Sequence, residues 1–258
     1  MEETGKNPIQ VAERLFQVIE RLAENGPMGI MDLSAELGFH KSTTHRLVTS
    51  LQYMGYIRQD EESLKYALSL KFLEIGSKIL EQTNMASLIH PSLKKLSEQT
   101  GETVHLVRRE GTEAVYIDKV ESTVSSIRMV SRVGSRIPLY CSGVGKALLA
   151  ELPDPEIEDI WNSSEITSLT PYTVTSLSDL MDRIRGVRDA GYAMDDEENE
   201  EGVRCIAVSI PDYHKEPVYA LSISAPVSRM TDARIAELST DVLTFKKDLE
   251  KTLGFSRS

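Results

Sequence analysis

The apolar residues of this chain change their spacing near Glu102, and that change constrains the fold more than any single motif. Before it, most apolar runs keep the i, i+3, i+4 spacing of amphipathic helices; after it, short runs alternate as half-buried strands do. The chain therefore reads as a helical N-terminal unit followed by a unit built around a sheet.

In the N-terminal part, Val11, Leu15, Val18, Ile19 and Leu22 predict a helix over residues 8–22, with Pro8 in its first turn and Asn25-Gly26-Pro27 as its stop. A short helix follows over residues 31–37, with Leu33 and Leu37 inward and Gly38 as its C-cap. A third begins near Lys41. Its apolar side is Leu47, Val48, Leu51 and Met54; Lys41, Ser42, Thr43, His45, Arg46 and Ser50 lie mostly opposite, and Gly55 closes it. Tyr56-Ile57-Arg58 and Leu64-Lys65-Tyr66-Ala67-Leu68 flank the polar turn Asp60-Glu61-Glu62-Ser63, which spells a hairpin. Residues 70–80 are helical, with Leu70, Leu73, Gly76 and Leu80 forming an interface face. Residues 84–99 form another helix, in which His90-Pro91 is expected to cause a kink or a restart.

Beyond Gly101, Val104-His105-Leu106-Val107, Ala114-Val115-Tyr116-Ile117 and Ile127-Arg128-Met129-Val130 read as strands. So do residues 192–194, 203–210 and 218–224, with helices over 145–151 and 177–189. A closing helix over 231–253 turns Ile235, Leu238, Val242, Phe245, Leu249 and Leu253 inward. Without regular βαβ repetition, this order predicts an α+β fold with a mainly antiparallel sheet.

Composition narrows the function classes. At 258 residues the chain is long enough for about two domains. No apolar run approaches a membrane span, and the first residues lack the apolar core of a secretory signal. Two cysteines, Cys141 and Cys205, make no disulfide framework and suit a reducing cytoplasm. The net charge of −11 discourages indiscriminate adhesion to polyanions. It is unevenly spread: residues 1–84 carry 9 Lys and Arg against 12 Asp and Glu, a net −3 that leaves −8 for the remainder.

A helix, a turn at Gly38, a helix with a short-hydroxyl and cationic outer face, and a hairpin together describe a winged helix-turn-helix. A helix that enters the major groove needs small hydrogen-bonding side chains and a few cations outward. Ser42, Thr43, His45 and Arg46 supply them. Lys41, Ser42 and the helix N-terminus can hold phosphate, and Arg58 and Lys65 can reach flanking phosphates from the hairpin. The plainer alternative is a small helical bundle with a polar surface.

Three stretches of the second half carry candidate chemistry. Tyr140-Cys141-Ser142-Gly143-Val144-Gly145-Lys146-Ala147 opens a helix with small residues, so backbone N–H groups at Ser142, Gly143 and Val144 can meet a carboxylate; a tight turn that needs glycine is the alternative. It is not a phosphate-binding P-loop, because Tyr140 and Ala147 stand where that motif needs glycine and Ser/Thr. The acidic run over 195–201 looks like a solvated loop and lacks the glycine of an EF-hand. Cys205, in a strand, reads as a small buried hydrophobe. Ser222 and Ser224 share one strand face and need partners if buried, from a polar ligand, backbone or water.

At this point the residues resemble those of IclR-type bacterial transcriptional regulators, from about Asn7 to Phe255. The resemblance rests on Lys41-Ser42-Thr43-Thr44-His45-Arg46-Leu47, Tyr116-Ile117-Asp118-Lys119-Val120, Pro138 through Ala150, Gly191 through Ala207 and Leu221-Ser222-Ile223-Ser224, in that order and spacing. It implies a winged helix-turn-helix over 1–68, a linker helix over 69–84 and a GAF-like effector domain over 85–258. It also implies dimers or dimers of dimers on palindromic operator DNA, in the cytoplasm, and a small organic-acid or sugar-acid effector. The implied effector set is Ser142, Gly143, Val144, Asp195, Cys205, Ser222 and Ser224. Many relatives carry a histidine where this chain has Asn199, a poor ligand for zinc-type ions, so no metal or other cofactor is expected. Two rival functions remain: an enzyme using Cys141 or Cys205, which lacks a nearby base, and an effector module that docks another protein through its N-terminal helices.

Overall fold

The computed structural model describes residues 8–82, 85–122, 130–212 and 216–253. The first unit begins with α1 (Gln10–Asn25), α2 (Ile30–Leu37) and α3 (Lys41–Tyr53). Pro8 precedes α1 rather than lying in its first turn, and the helix runs three residues past Leu22 to Asn25, ending at the expected Asn25-Gly26-Pro27 stop with Gly26 as its C-cap. Gly38 adopts φ 65° and ψ 26°, left-handed values that cost glycine little, and so allows the sharp turn from α2 into α3. The strands β1 (Ile57–Gln59) and β2 (Tyr66–Leu68) form an antiparallel hairpin. Met28 joins it: its N–H donates to Tyr66 O, and Tyr66 N–H donates to Met28 O, at 2.9 and 2.8 Å. Val18, Leu22, Leu33, Leu47, Val48, Leu51, Ile57 and Tyr66 close around one another as the core. Met54, expected inward, is 39% exposed, because α3 ends at Tyr53 and Met54 is its C-cap.

The helix α4 (Lys71–Gln82) completes this unit, and the division between the two units falls after Thr83. Leu70 and Leu73 are 76% and 66% exposed. The Leu80 side chain and the strand expected at Ile127-Arg128-Met129 lie outside the described residues.

The second unit opens with α5 (Met85–Thr100), which runs through Pro91 as one helix rather than restarting there. Its six-stranded antiparallel sheet consists of β3 (Thr103–Glu110), β4 (Glu113–Val120), β5 (Arg136–Pro138), β6 (Ala193–Asp196), β7 (Val203–Ile210) and β8 (Tyr219–Pro226), in the order β5-β4-β3-β8-β7-β6. One face carries Val104, Leu106, Ile206, Val208, Ile210, Leu221 and Ile223 against α5 and α9 (Asp232–Thr252). The other carries Ala193, Ala207 and Ala220 against α6 (Gly143–Ala150) and α8 (Leu177–Ala190). The strand β5 and the helix α7 (Asp154–Asn162) are additions to the sequence expectation. The first is a three-residue edge strand, too short to show a period. The second begins at Asp154-Pro155-Glu156, a Pro and acidic residues in a first helical turn.

The small residues on the inner face let α6 lie close to the sheet. A Cβ on Gly145 would sit 2.1 Å from the carbonyl oxygen of Leu139, and one on Gly143 would sit 2.8 Å from Cys205 Sγ. The first clash is with backbone, which has nowhere to go. Gly145→Ala is therefore expected to lower the stability of the second unit by about 1–3 kcal/mol or more, read as a reduced urea midpoint; an unchanged midpoint would show that α6 has room to move.

Candidate functional site

Antiparallel register brings the second-unit candidates together. Asp195 pairs with Cys205, and Cys205 with Ser224, so these three form one row across β6, β7 and β8. A second row runs Ala193, Ala207, Ser222 and His105 across the same strands and β3. The N-terminus of α6 sits over these rows. Ser142, Gly143, Val144, Asp195, Cys205, Ser222 and Ser224 all line one cavity, of about 40 Å³. His105, Tyr116, Ser131 and Asn199 also line it.

Within it, Ser142 is the N-cap of α6. Its hydroxyl accepts from Gly145 N–H at 3.1 Å and donates to Pro138 O at 2.6 Å, so the hydroxyl is engaged in the turn. The first-turn N–H groups of Gly143, which faces Cys205, and of Val144 form the helix's positive end. Asp195 is buried; its Oδ1 accepts from Glu198 N–H at 2.8 Å and Asn199 N–H at 3.4 Å. Burial pushes its carboxyl up to about 7, against the pull of Lys146 and of these N–H groups. Burial and the Asp195 charge raise the Cys205 thiol, opposed by Lys146 and the N–H groups of Gly143 and Asp195. Burial pushes Cys141 up to about 12, with Asp195 adding to it. Both cysteines are thus protonated thiols at neutral pH, the opposite of activated nucleophiles.

His105 is the polar centre that sequence reading missed. Burial and the nearby Lys119 charge lower its pKa to about 3, so its ring is neutral. One ring nitrogen meets Ser131 Oγ at 2.7 Å; the other lies 3.4 Å from both Ser222 Oγ and Ser224 Oγ. The signal was present: a histidine inside Val104-His105-Leu106-Val107 points opposite to its apolar neighbours. Tyr116 packs edge-on against it at 5.1 Å.

The acidic run is only partly the solvated loop its composition suggests: Asp196, Glu200 and Glu201 are exposed, but Asp195 and Glu198 are buried. Lys146 and Glu198 form an ion pair in which the side chains are only 1% and 3% exposed. The carbonyls of Glu197 and Glu198 accept from the hydroxyls of Thr170 and Thr173 at 2.6 Å each. Such a buried pair is expensive to break, at roughly 3–5 kcal/mol when one partner is removed. Among the described residues, no three His, Cys, Asp or Glu side chains are grouped to hold a metal ion.

In the first unit, Lys41, Ser42, His45 and Arg46 lie on the exposed side of α3, with Thr43 half-buried and Thr44 buried. Thr49, which sequence reading passed over, continues that exposed face, its hydroxyl 3.4 Å from His45 Nδ1. Arg58 is exposed on β1, and Lys65 is exposed just before β2. The structure thus puts five candidates on one helix and two on the adjoining hairpin. Among the described residues, no helix is long and apolar enough to cross a membrane.

Comparison with known proteins matches both units. Residues 11–61 fit the IclR helix-turn-helix domain, and residues 77–250 fit the bacterial transcriptional regulator IclR C-terminal domain. The acetate operon repressor of Salmonella typhimurium is 36% identical over 252 residues, covering 96% of this chain and 92% of that protein. The HTH-type transcriptional regulator XynR of Escherichia coli is 36% identical over 248 residues, covering 96% and 98%. Among solved structures, the Thermotoga maritima IclR aligns with a TM-score of 0.63 at 31% identity, covering 95% of this chain and 99% of that one. The Agobacterium tumefaciens repressor BlcR aligns with a TM-score of 0.77 at 25% identity, covering 98% and 100%. These relatives are regulators rather than enzymes. A helix-turn-helix unit, an antiparallel sheet under the α6 loop and these full-length matches agree: the chain belongs to the IclR family of bacterial transcriptional regulators.

Proposed function

We propose that this regulator is a ligand-responsive repressor acting in the cytoplasm, and that it binds a palindromic operator as a dimer or dimer of dimers. Residues 1–68 serve as the DNA-binding domain, 69–84 as the linker and 85–258 as the effector domain. The observation that carries the reading is the exposed hydroxyl and cationic face of α3, on a unit that matches a DNA-binding family. Ser42, Thr43, His45 and Arg46 read base edges; Lys41, Arg58 and Lys65 hold phosphates. The naming of relatives as repressors supports the sign of regulation.

The effector is a compact carboxylate. The cavity offers helix N–H groups at Gly143 and Val144, the hydroxyls of Ser222 and Ser224, the Asp195 carboxyl, which takes up a proton near neutral pH, and the protonated thiol of Cys205. At about 40 Å³ it admits only a few non-hydrogen atoms without opening. Effector binding favours one spacing of the two recognition helices over another; half-sites lie about 34 Å or a multiple apart. The ligand shifts this equilibrium by its differential affinity for the two states.

Three measurements test the reading. In a gel shift on the promoter region beside its own gene, folded Arg46→Ala should lose about 1–3 kcal/mol of operator affinity; wild-type affinity would remove Arg46 from the interface. Lys65→Ala should weaken binding across sequences and flatten the salt dependence by about one ion, an effect a protein-docking module would not show. Calorimetry with two- to four-carbon carboxylic acids should find a ligand whose affinity falls in Ser222→Ala. Above the Asp195 pKa of about 7, an anionic ligand must bring a proton with it, so affinity should fall about tenfold per pH unit. Asp195→Asn should abolish that slope; a slope that persisted would place the titrating group elsewhere.

A further inference from the structure

Three serine hydroxyls in the cavity under α6 share one imidazole. His105 is 3% exposed, and its ring stands between Ser131 on one side and Ser222 and Ser224 on the other. Nε2 meets Ser131 Oγ at 2.7 Å, while Ser222 Oγ and Ser224 Oγ each lie 3.4 Å from Nδ1 and 3.5 Å from each other. The second set of distances is long enough for both hydroxyls to turn. The ring is neutral, so it carries one N–H and one bare nitrogen, and the partner that fixes one nitrogen fixes the other.

Two observations place the proton on Nδ1. The 2.7 Å contact is shorter than the ~2.9–3.0 Å at which N–H donors usually sit from oxygen, and it suits the Ser131 hydroxyl donating to a bare Nε2. Lys119, the cross-strand partner of His105, donates from its ammonium to Ser131 O at 2.8 Å, which sets a cation on the Nε2 side of the ring. A cation favours the tautomer whose lone pair faces it.

We propose that His105 is a positioning residue: Ser131 holds its ring as the Nδ1–H tautomer, and that N–H, turned toward the oxygens of Ser222 and Ser224, leaves both serine protons free to be donated to a carboxylate in the cavity. This rests on the compact-carboxylate reading of the same cavity and adds the device that sets its polarity. Were the proton on Nε2, Nδ1 would accept a hydroxyl proton from one serine, and that serine would offer the cavity only lone pairs. Ser131 therefore acts on the ligand through the ring, although both it and His105 line the cavity.

The first test needs no ligand. In NMR spectra of the full-length protein carrying 15N-labelled histidine, the His105 ring signals are those, among five histidines, that vanish in His105→Asn. If that variant fails to fold, His105 is identified as a ring that stays neutral at about pH 5, where exposed histidines carry a second ring proton. Nδ1 should bear the proton and Nε2 none. Ser131→Ala should move the proton toward Nε2, and Ser131→Thr, which keeps the hydroxyl, should not. The second test is calorimetry with acetate, propionate and butyrate. Ser131→Ala should weaken the tightest of them about threefold or more, and Ser131→Thr should retain its affinity. In the His105→Asn background, Ser131→Ala should change that affinity by less than about twofold. A proton on Nε2 in the wild-type ring, ring signals unmoved in Ser131→Ala, or an equal effect of Ser131→Ala in both backgrounds would each overturn the proposal; the last would mean that Ser131 touches the ligand directly. If none of the three acids binds, the compact-carboxylate reading fails, while the ring spectra still uphold or overturn the part of Ser131 in fixing the tautomer.

Discussion

The second unit depends on how closely α6 approaches the sheet. Gly143 and Gly145 on the helix, and Ala193, Ala207 and Ala220 on the strands, remove the side chains that would hold the two apart. Close approach does two things at once. It buries the apolar side of α6, with Val144, Ala147 and Leu148 in the core. It also aims the positive end of the helix at the row of Asp195, Cys205 and Ser224. The same contact thus makes a core and a polar pocket.

Burying polar groups in that contact has an electrostatic cost, and the molecule meets it locally. Lys146 faces Glu198, and Lys146 also draws the Asp195 carboxyl down against its burial. Glu198 in turn holds Asp195 through its backbone N–H. The three residues form one unit, in which protonation of Asp195 leaves a neutral set and its ionisation leaves one net negative charge. With the Asp195 carboxyl pushed up to about 7, the net charge of this buried set changes around neutral pH.

How much of this was legible follows from length scale. The helix-turn-helix was readable because its signals are local: a glycine turn, a periodic apolar stripe and a polar hairpin turn, all within residues 10–68. The Gly143 loop and the two serines were readable for the same reason. Asp195 and Cys205 entered through family resemblance, since their meeting with the loop depends on register between strands far apart in sequence. His105 and the Lys146–Glu198 pair were not read at all. A lone charged residue in Gly143-Val144-Gly145-Lys146-Ala147-Leu148 shows that something must face it, but its partner stands 52 residues away in an acidic run that composition assigns to solvent. The short edge strand β5 has too few residues for any period to show.

Strand alternation makes the central sheet two interleaved messages. On β7, Ile206, Val208 and Ile210 face α5 and α9, while Cys205, Ala207 and Ser209 face the other way. On β8, Leu221, Ile223 and Ala225 repeat the first message, and Ala220, Ser222 and Ser224 the second. The two faces share a backbone but few side-chain contacts. Substitutions on one can accumulate with little effect on the other, so the polar lining can be rewritten at every second residue while the hydrophobic half of the sheet stays untouched.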